Sequence, residues 1–330
     1  MNLCGFVRLF THLQLLPILE NGEETTLVGG QAVMEGVMMR SPHSYCVAVR
    51  TPTGEIVTEE NPLPRLSEQY PIFKWPVLRG LGTLGQAMWL GMKALRFSAN
   101  CALEGSTPQD EMKTGKKELG SRAMGLNILF SLAFFIGLYK FVPLYLATLL
   151  GKAIPVVGSR FAINMVDGIL RIAIFLGFLY LLSRMKDIHR VFEYHGAEHR
   201  VVFNFESGQP VNVENAQRFV TWHPRCGTSF LMVVMVISMI FYAFLPFDSF
   251  WLKFASRIAL LPVIAGVSYE LIRFAAKRQR GLMAILTRPG LWLQRVTTQP
   301  PSNAQTEVAI HALERAMELE RAQGGVLVIA

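Results

Sequence analysis

Residues 228–247 run without a single charged side chain until Asp248. As a helix, twenty such residues reach about 30 Å, the thickness of a hydrocarbon core. Three companions share this apolar character. Residues 124–150 form one, interrupted by Lys140 and Pro143; residues 165–183 and 254–273 form the others, with Asp167, Arg171, Arg257 and Glu270 intruding. Asp167 and Arg171 are four positions apart and so share a helix face, where they can neutralise each other. Over 330 residues, 17% charged content and a mean hydropathy of +0.33 suit a polytopic membrane protein better than a soluble one.

Basic residues flank these runs with a consistent sign. Lys113, Lys116, Lys117 and Arg122 precede the first run, and Arg184, Lys186, Arg190, Arg200, Arg218 and Arg225 separate the second from the third. Arg273, Lys277, Arg278 and Arg280 follow the fourth, whereas the other two loops hold only Lys152, Arg160 and Lys253. The positive-inside rule therefore predicts four spans in an inner (plasma) membrane with both termini in the cytoplasm. The same flanks account for the net charge of +8, and no basic stripe interleaved with aromatics points to nucleic acid.

The chain divides accordingly. Residues 1–23 read as an N-terminal extension with no signal-peptide pattern, and 24–62 as a small β-rich cytoplasmic element. Within the latter, His43–Arg50 and Glu55–Glu59 are strand-like around a Pro52-Thr53-Gly54 turn. The preceding run, Gly29–Arg40, reads either as a buried strand with a polar edge or as a segment that turns Glu35 or Arg40 toward a site; Gln31 is its third polar residue. Residues 63–122 comprise an interfacial helix (75–98, carrying Arg79, Gln86, Lys93 and Arg96) and a polar linker (104–122). Spans at 123–183 and 228–274 bracket a cytoplasmic segment, 184–227, and a soluble tail follows at 275–330. In that tail, Ser302 and Gln305 have capping-box spacing ahead of a helix at 303–322.

The segment 184–227 carries the chemistry. Tyr194-His195-Gly196-Ala197-Glu198-His199 is followed by His223-Pro224-Arg225-Cys226-Gly227-Thr228. On a helix His195 and His199 stack on one face, so two imidazoles can reach one metal ion, with His223 or Cys226 to complete the set. Gly196 weakens that helix by about 1 kcal/mol relative to alanine. Imidazole and thiolate donors favour a divalent transition metal, most of all zinc. The four cysteines (4, 46, 101 and 226) have no paired spacing, which fits a reducing compartment and leaves Cys226 available as a ligand. The order His-x-x-Glu-His also matches the inverted zincin pattern, in which Glu198 is a general base.

Four segments carry a family resemblance: GGQAVMEGVMMRSP (29–42), EYHGAEHRV (193–201), HPRCGTSF (223–230) and PGLWLQRVTTQPPSNAQTEVAIHAL (289–313). Across about residues 24–320 the chain resembles the YqhQ-like family, bacterial membrane proteins described as predicted metal-dependent enzymes of unknown function. The resemblance implies that the family's histidine motif falls on His195, Glu198 and His199, and its cysteine motif on His223 and Cys226. It supplies no substrate.

Three functions are compatible with these residues. A membrane-associated hydrolase would use three protein ligands and Glu198 as base, acting on peptide or lipid at the cytoplasmic face. A scaffold or assembly factor would instead close a structural site with His195, His199, His223 and Cys226 together. A metal transporter fits least, because these ligands lie between spans rather than at the bilayer midplane.

Overall fold

A computed structural model describes residues 28–64, 66–104, 121–223, 226–277 and 282–323. The N-terminal extension, most of the polar linker and the basic residues Lys113, Lys116, Lys117, Arg225, Arg278 and Arg280 lie outside these residues.

The β-rich element is a four-stranded antiparallel meander: β1 (Gly29–Val33), β2 (Gly36–Arg40), β3 (Ser44–Arg50) and β4 (Ile56–Pro62). The apolar run read as one strand is in fact a hairpin, because Glu35 adopts φ 53° and reverses the chain after Val33. Alternation then sends successive side chains to opposite faces. Val37, Met39, Cys46 and Ala48 face one core, and Met38, Tyr45, Val47 and Val49 face the other.

Both faces are covered. Helix α1 (Leu78–Glu104) lays Leu90, Ala94 and Cys101 on the second face, and it continues beyond the predicted end at 98. Lys93 crosses its edge to the Tyr45 hydroxyl at 2.6 Å and Glu59 at 3.0 Å. Away from the sheet the same helix exposes Met88, Trp89, Met92 and Leu95.

Helices α2 (Ser121–Ile136) and α3 (Val142–Ala153) are joined by a π turn at Gly137–Phe141. Pro143 explains the turn: it lacks an amide hydrogen, and its ring crowds the carbonyl four residues back, so the helix widens rather than breaks. Leu129–Ala153 and helix α4 (Arg160–Ser183) are each long and apolar enough to cross a membrane. Helix α5 (Lys186–Glu206) and the short α6 (Val213–Gln217) follow, then the apolar α7 (Gly227–Ala243). Helices α8 (Phe250–Ala259) and α9 (Leu261–Lys277) meet at a 48° bend and would make a third span if taken as one. By length and composition, then, two or three helices among the described residues can span a membrane.

The intruding charges are paired inside this bundle. Asp167 accepts a hydrogen bond from Arg171 one turn along and forms an ion pair with Arg257 at 2.8 Å, and Arg257 donates to Asn164 Oδ1 at 2.6 Å. Glu270 takes Arg79 of α1 through a 2.6 Å bond to Nε, tying the sheet's cover to α9.

Helix α10 (Leu282–Thr297) packs on α7, and α11 (Asn303–Ala322) closes the first sheet face together with α5. The expected capping box is present, Ser302 and Gln305 satisfying each other's backbone amides. Ala309, Ala312, Leu313 and Ala316 are fully buried against the sheet. At the far end of α11, buried Glu320 accepts from Ser41 Oγ at 2.7 Å and from the His43 amide at 2.8 Å, clamping the turn before β3.

Candidate metal centre

The His-x-x-x-His spacing acquires geometry because Tyr194–Val202 lies within α5, with one face on the sheet. The His195 and His199 rings meet edge to face, with centroids 4.5 Å apart and planes inclined at 62°. Each uses the same nitrogen on the backbone: His195 Nδ1 is 2.8 Å from the Thr297 carbonyl oxygen, and His199 Nδ1 bonds the Thr221 carbonyl. A carbonyl only accepts, so both Nδ1 atoms carry the hydrogen and both Nε2 lone pairs are available to a ligand. This is the orientation that second-sphere partners impose on metal-binding histidines.

The third member arrives from another element. Cys226 is the N-cap of α7, and its Sγ stands 3.3 Å from His195 Nε2. The ligand atoms of His195, His199 and Cys226 all lie within 4.8 Å of one another. Tetrahedral bonds of about 2.0 Å to nitrogen and 2.3 Å to sulfur would put such atoms roughly 3.5 Å apart. The donor set and spacing therefore fit a divalent transition ion. Burial holds the His199 imidazole below its usual pKa, against the opposing Cys226 contact, which favours the neutral ring that coordination requires.

His223 is brought near but left out of the group. Its ring packs 4.5 Å from Phe203 and 5.7 Å from His199, while its Nε2 sits 3.4 Å from Glu206 Oε2. Burial pushes its pKa down to about 4. Its neighbours Pro224 and Arg225 lie outside the described residues.

Glu198 is buried at 6% exposure, with Oε2 3.5 Å from His199 Nε2. Burial raises its pKa, opposed by the charges of His195 and His223 and by a hydrogen bond from the Gly30 amide. Gly30 has to be glycine for this approach: a Cβ there would stand 2.8 Å from Glu198 Cγ and 2.5 Å from the Met38 carbonyl. The GGQAVMEGVMMRSP motif thus serves the site through its backbone. Its polar side chains go elsewhere. Gln31 donates to the Ala87 carbonyl at 3.4 Å, Glu35 takes Arg190 and Tyr194, and Arg40 reaches Gln86 at 3.5 Å.

One positioning residue escaped the sequence reading. Gln294 of α10 accepts the His223 amide at 2.6 Å and donates to the His223 carbonyl at 2.8 Å and Ser229 Oγ at 2.9 Å. It thereby bonds both His223 and Ser229, which lie on either side of Cys226 in the chain. The available signal was a lone amide in an apolar helical stretch of a motif, PGLWLQRV, that already carried the resemblance.

Residues 75–319 match the family described as "Protein of unknown function (DUF1385)". The chain is also similar to the uncharacterized protein YqhQ of Bacillus subtilis (strain 168), 35% identical over 297 residues, an alignment that covers 88% of this chain and 92% of the relative. No solved structure matches. Both histidines, Glu198, Cys226 and Gln294 fall within the matched family region.

Proposed function

Since the chain belongs to the DUF1385 family, whose function its description leaves open, we propose that it is a membrane-associated, metal-dependent hydrolase with zinc as its metal. The observation that carries this reading is the three-membered group of His195, His199 and Cys226 with a buried carboxylate beside it. Three protein ligands leave a coordination position open, as catalytic sites do, whereas a structural site closes with four. His223, the candidate fourth ligand, is turned to Glu206, and this counts against the scaffold reading.

A divalent ion in such a site supplies Lewis acidity toward a water and toward a carbonyl or phosphoryl oxygen. The remaining work falls to the protein. Thr297 and Thr221 hold the two imidazoles in the ligating tautomer. Glu198, its pKa raised by burial, is the carboxylate beside the group and would serve as the general base that takes a proton from water. The sheet closes over it at Gly30 and leaves its side chain buried.

The membrane reading has four spans, with α7 and the bent α8–α9 pair joining the two longer helices, and both termini and the metal group on the cytoplasmic side. The basic flank Arg184, Lys186, Arg190, Arg200 and Arg218 supports this orientation. Broad exposure of Phe130, Ile169, Leu181 and Trp251 is what lipid-facing surfaces present. The apolar outer face of α1 fits an interfacial helix lying on the bilayer. Substrates at that level are peptide or lipid, and the bilayer itself is a partner.

Metal analysis of purified protein tests the core of the reading. About one equivalent of zinc is expected in the wild type and almost none in a His195→Ala, His199→Ala double variant; stoichiometric metal in the variant would sink the proposal.

A further inference from the structure

At the end of α4 the chain forms an open cleft of ≈ 720 Å³. Tyr180 and Ser183 from the last turn of α4, the first two turns of α5, and the Arg295–Gln299 region line it. Four cations, Arg184, Lys186, Arg190 and Arg295, face two carboxylates there, Asp187 and Glu193.

The pairing is lopsided. Glu35 takes Arg190, with Nη2 to Oε2 at 2.6 Å, and Gln305 donates to Glu193 at 2.8 Å. Arg184, Lys186 and Arg295 have no carboxylate ion pair among the described residues. Two of them rest on aromatic faces instead: the Arg184 guanidinium is 4.7 Å from the Tyr180 ring, and that of Arg295 is 4.8 Å from the Trp222 ring. An aromatic face orients a guanidinium without neutralising it. The result is a cleft with surplus positive charge and pre-oriented planar donors, which suits an oxygen-rich anion.

Its place selects the anion. Ser183 ends a 24-residue apolar helix, so the cleft opens where headgroup phosphates lie beside a span. Exposed Leu181 and Tyr180 continue from it along the outer face of α4, where acyl chains would run. We propose that this cleft binds the phosphate headgroup of an anionic bilayer lipid. The proposal rests on the membrane reading above. It also links lipid to the metal group, because Val296 and Gln299 line the cleft while Thr297 between them holds His195.

The test uses full-length protein in mixed micelles containing either phosphatidylglycerol or phosphatidylcholine, with bound lipid measured by native mass spectrometry. Wild type is expected to retain phosphatidylglycerol preferentially, and an Arg184→Gln, Arg295→Gln variant to bind it roughly tenfold or more weakly. Both residues are exposed, so the fold should survive; an Arg218→Gln control, outside the cleft, should bind like wild type. Equal retention of the two lipids, or wild-type affinity in the double variant, overturns the lipid site. Complete displacement of phosphatidylglycerol by millimolar inorganic phosphate assigns the cleft to a free anion and overturns the lipid source. Extraction of the protein from membranes by alkaline carbonate without detergent is a separate failure, that of the membrane reading.

Discussion

Gly196 lies so close to Gln299 that a Cβ built on it would stand 2.0 Å from the Gln299 carbonyl oxygen. The glycine that weakens the His-Gly-Ala-Glu-His helix is therefore what lets the segment after α10 run along it. The Gln299 amide donates to the Phe192 carbonyl at 2.9 Å, and Thr297 at the end of α10 meets His195. Helix propensity alone would make Gly196→Ala stabilising by about 1 kcal/mol. The contact predicts the reverse, a loss on the order of 1–3 kcal/mol from overpacking against backbone, with weaker metal retention. Thermal unfolding in detergent decides it, and a rise in midpoint would refute the packing argument.

Gln294 invites a second substitution. In Gln294→Ala the buried His223 amide loses the Gln294 acceptor, at about 1–3 kcal/mol, while the His223 carbonyl keeps the Cys226 amide at 3.3 Å. Cys226 at the start of α7 should be held less firmly, and metal affinity should fall roughly 10–100-fold, as happens when the groups that position metal ligands are lost. Competitive chelator titration reads this directly. Unchanged affinity would mean that Cys226 is held in place without Gln294.

How much of this was legible beforehand follows from sequence distance. His195, Glu198 and His199 lie within five residues on one helix, so spacing alone places them together. Cys226 was singled out with His223 through chemistry and the resemblance; that the sulfur is the one grouped with the two imidazoles depends on where α7 begins, which no local pattern states. Gln294 acts 71 positions from His223, on backbone atoms that any residue offers, and so leaves no trace in a motif search. In the sheet, β3 and most of β4 were readable from alternation and turn residues. The β1–β2 hairpin was not, because its turn residue is Glu35 at φ 53° rather than glycine or asparagine. The capping box at Ser302 was fully readable, being a short-range reciprocal bond.

Acid should destabilise the metal-free protein through His223. Its folded pKa is about 4 against an ordinary value of 6.5, so the unfolded chain binds a proton that the buried ring refuses. Stability from this residue is complete above pH 6.5 and falls on acidification toward pH 4, by on the order of 3 kcal/mol in total. Glu198, raised by burial, works in the opposite direction as its carboxyl protonates. The measurement is therefore the difference between wild type and His223→Gln in chelator, followed by denaturant unfolding at each pH. A difference that stays flat from pH 7 to 4 would contradict the burial of His223.

Topology gives a fourth expectation. Single cysteines placed at Asp187 and Glu214, in a background without native cysteines, should react with a membrane-impermeant maleimide only after cells are permeabilised. One at Val156, between the two longest apolar helices, should react in intact cells. Labelling of Asp187→Cys from outside would invert the orientation and remove the reducing environment assumed for Cys226.

Glu198 separates enzyme from scaffold. Its carboxylate accepts from the Gly30 amide and stands 3.5 Å from His199 Nε2, yet it lies outside the three-membered ligand group. Glutamine keeps the shape and can still accept from Gly30, so Glu198→Gln should fold and retain metal. What it loses is the ability to take a proton, a change that typically costs 10²–10⁴-fold in rate. Cys226→Ala removes a ligand instead and should lose the metal as well as the function. Complementation of a deletion strain by each variant, with metal content measured on the same preparations, needs no known substrate. Metal-replete but non-complementing Glu198→Gln is the result expected of a hydrolase. Full complementation by that variant would show that no proton transfer passes through Glu198, and the group of His195, His199 and Cys226 would then be holding the fold rather than performing chemistry.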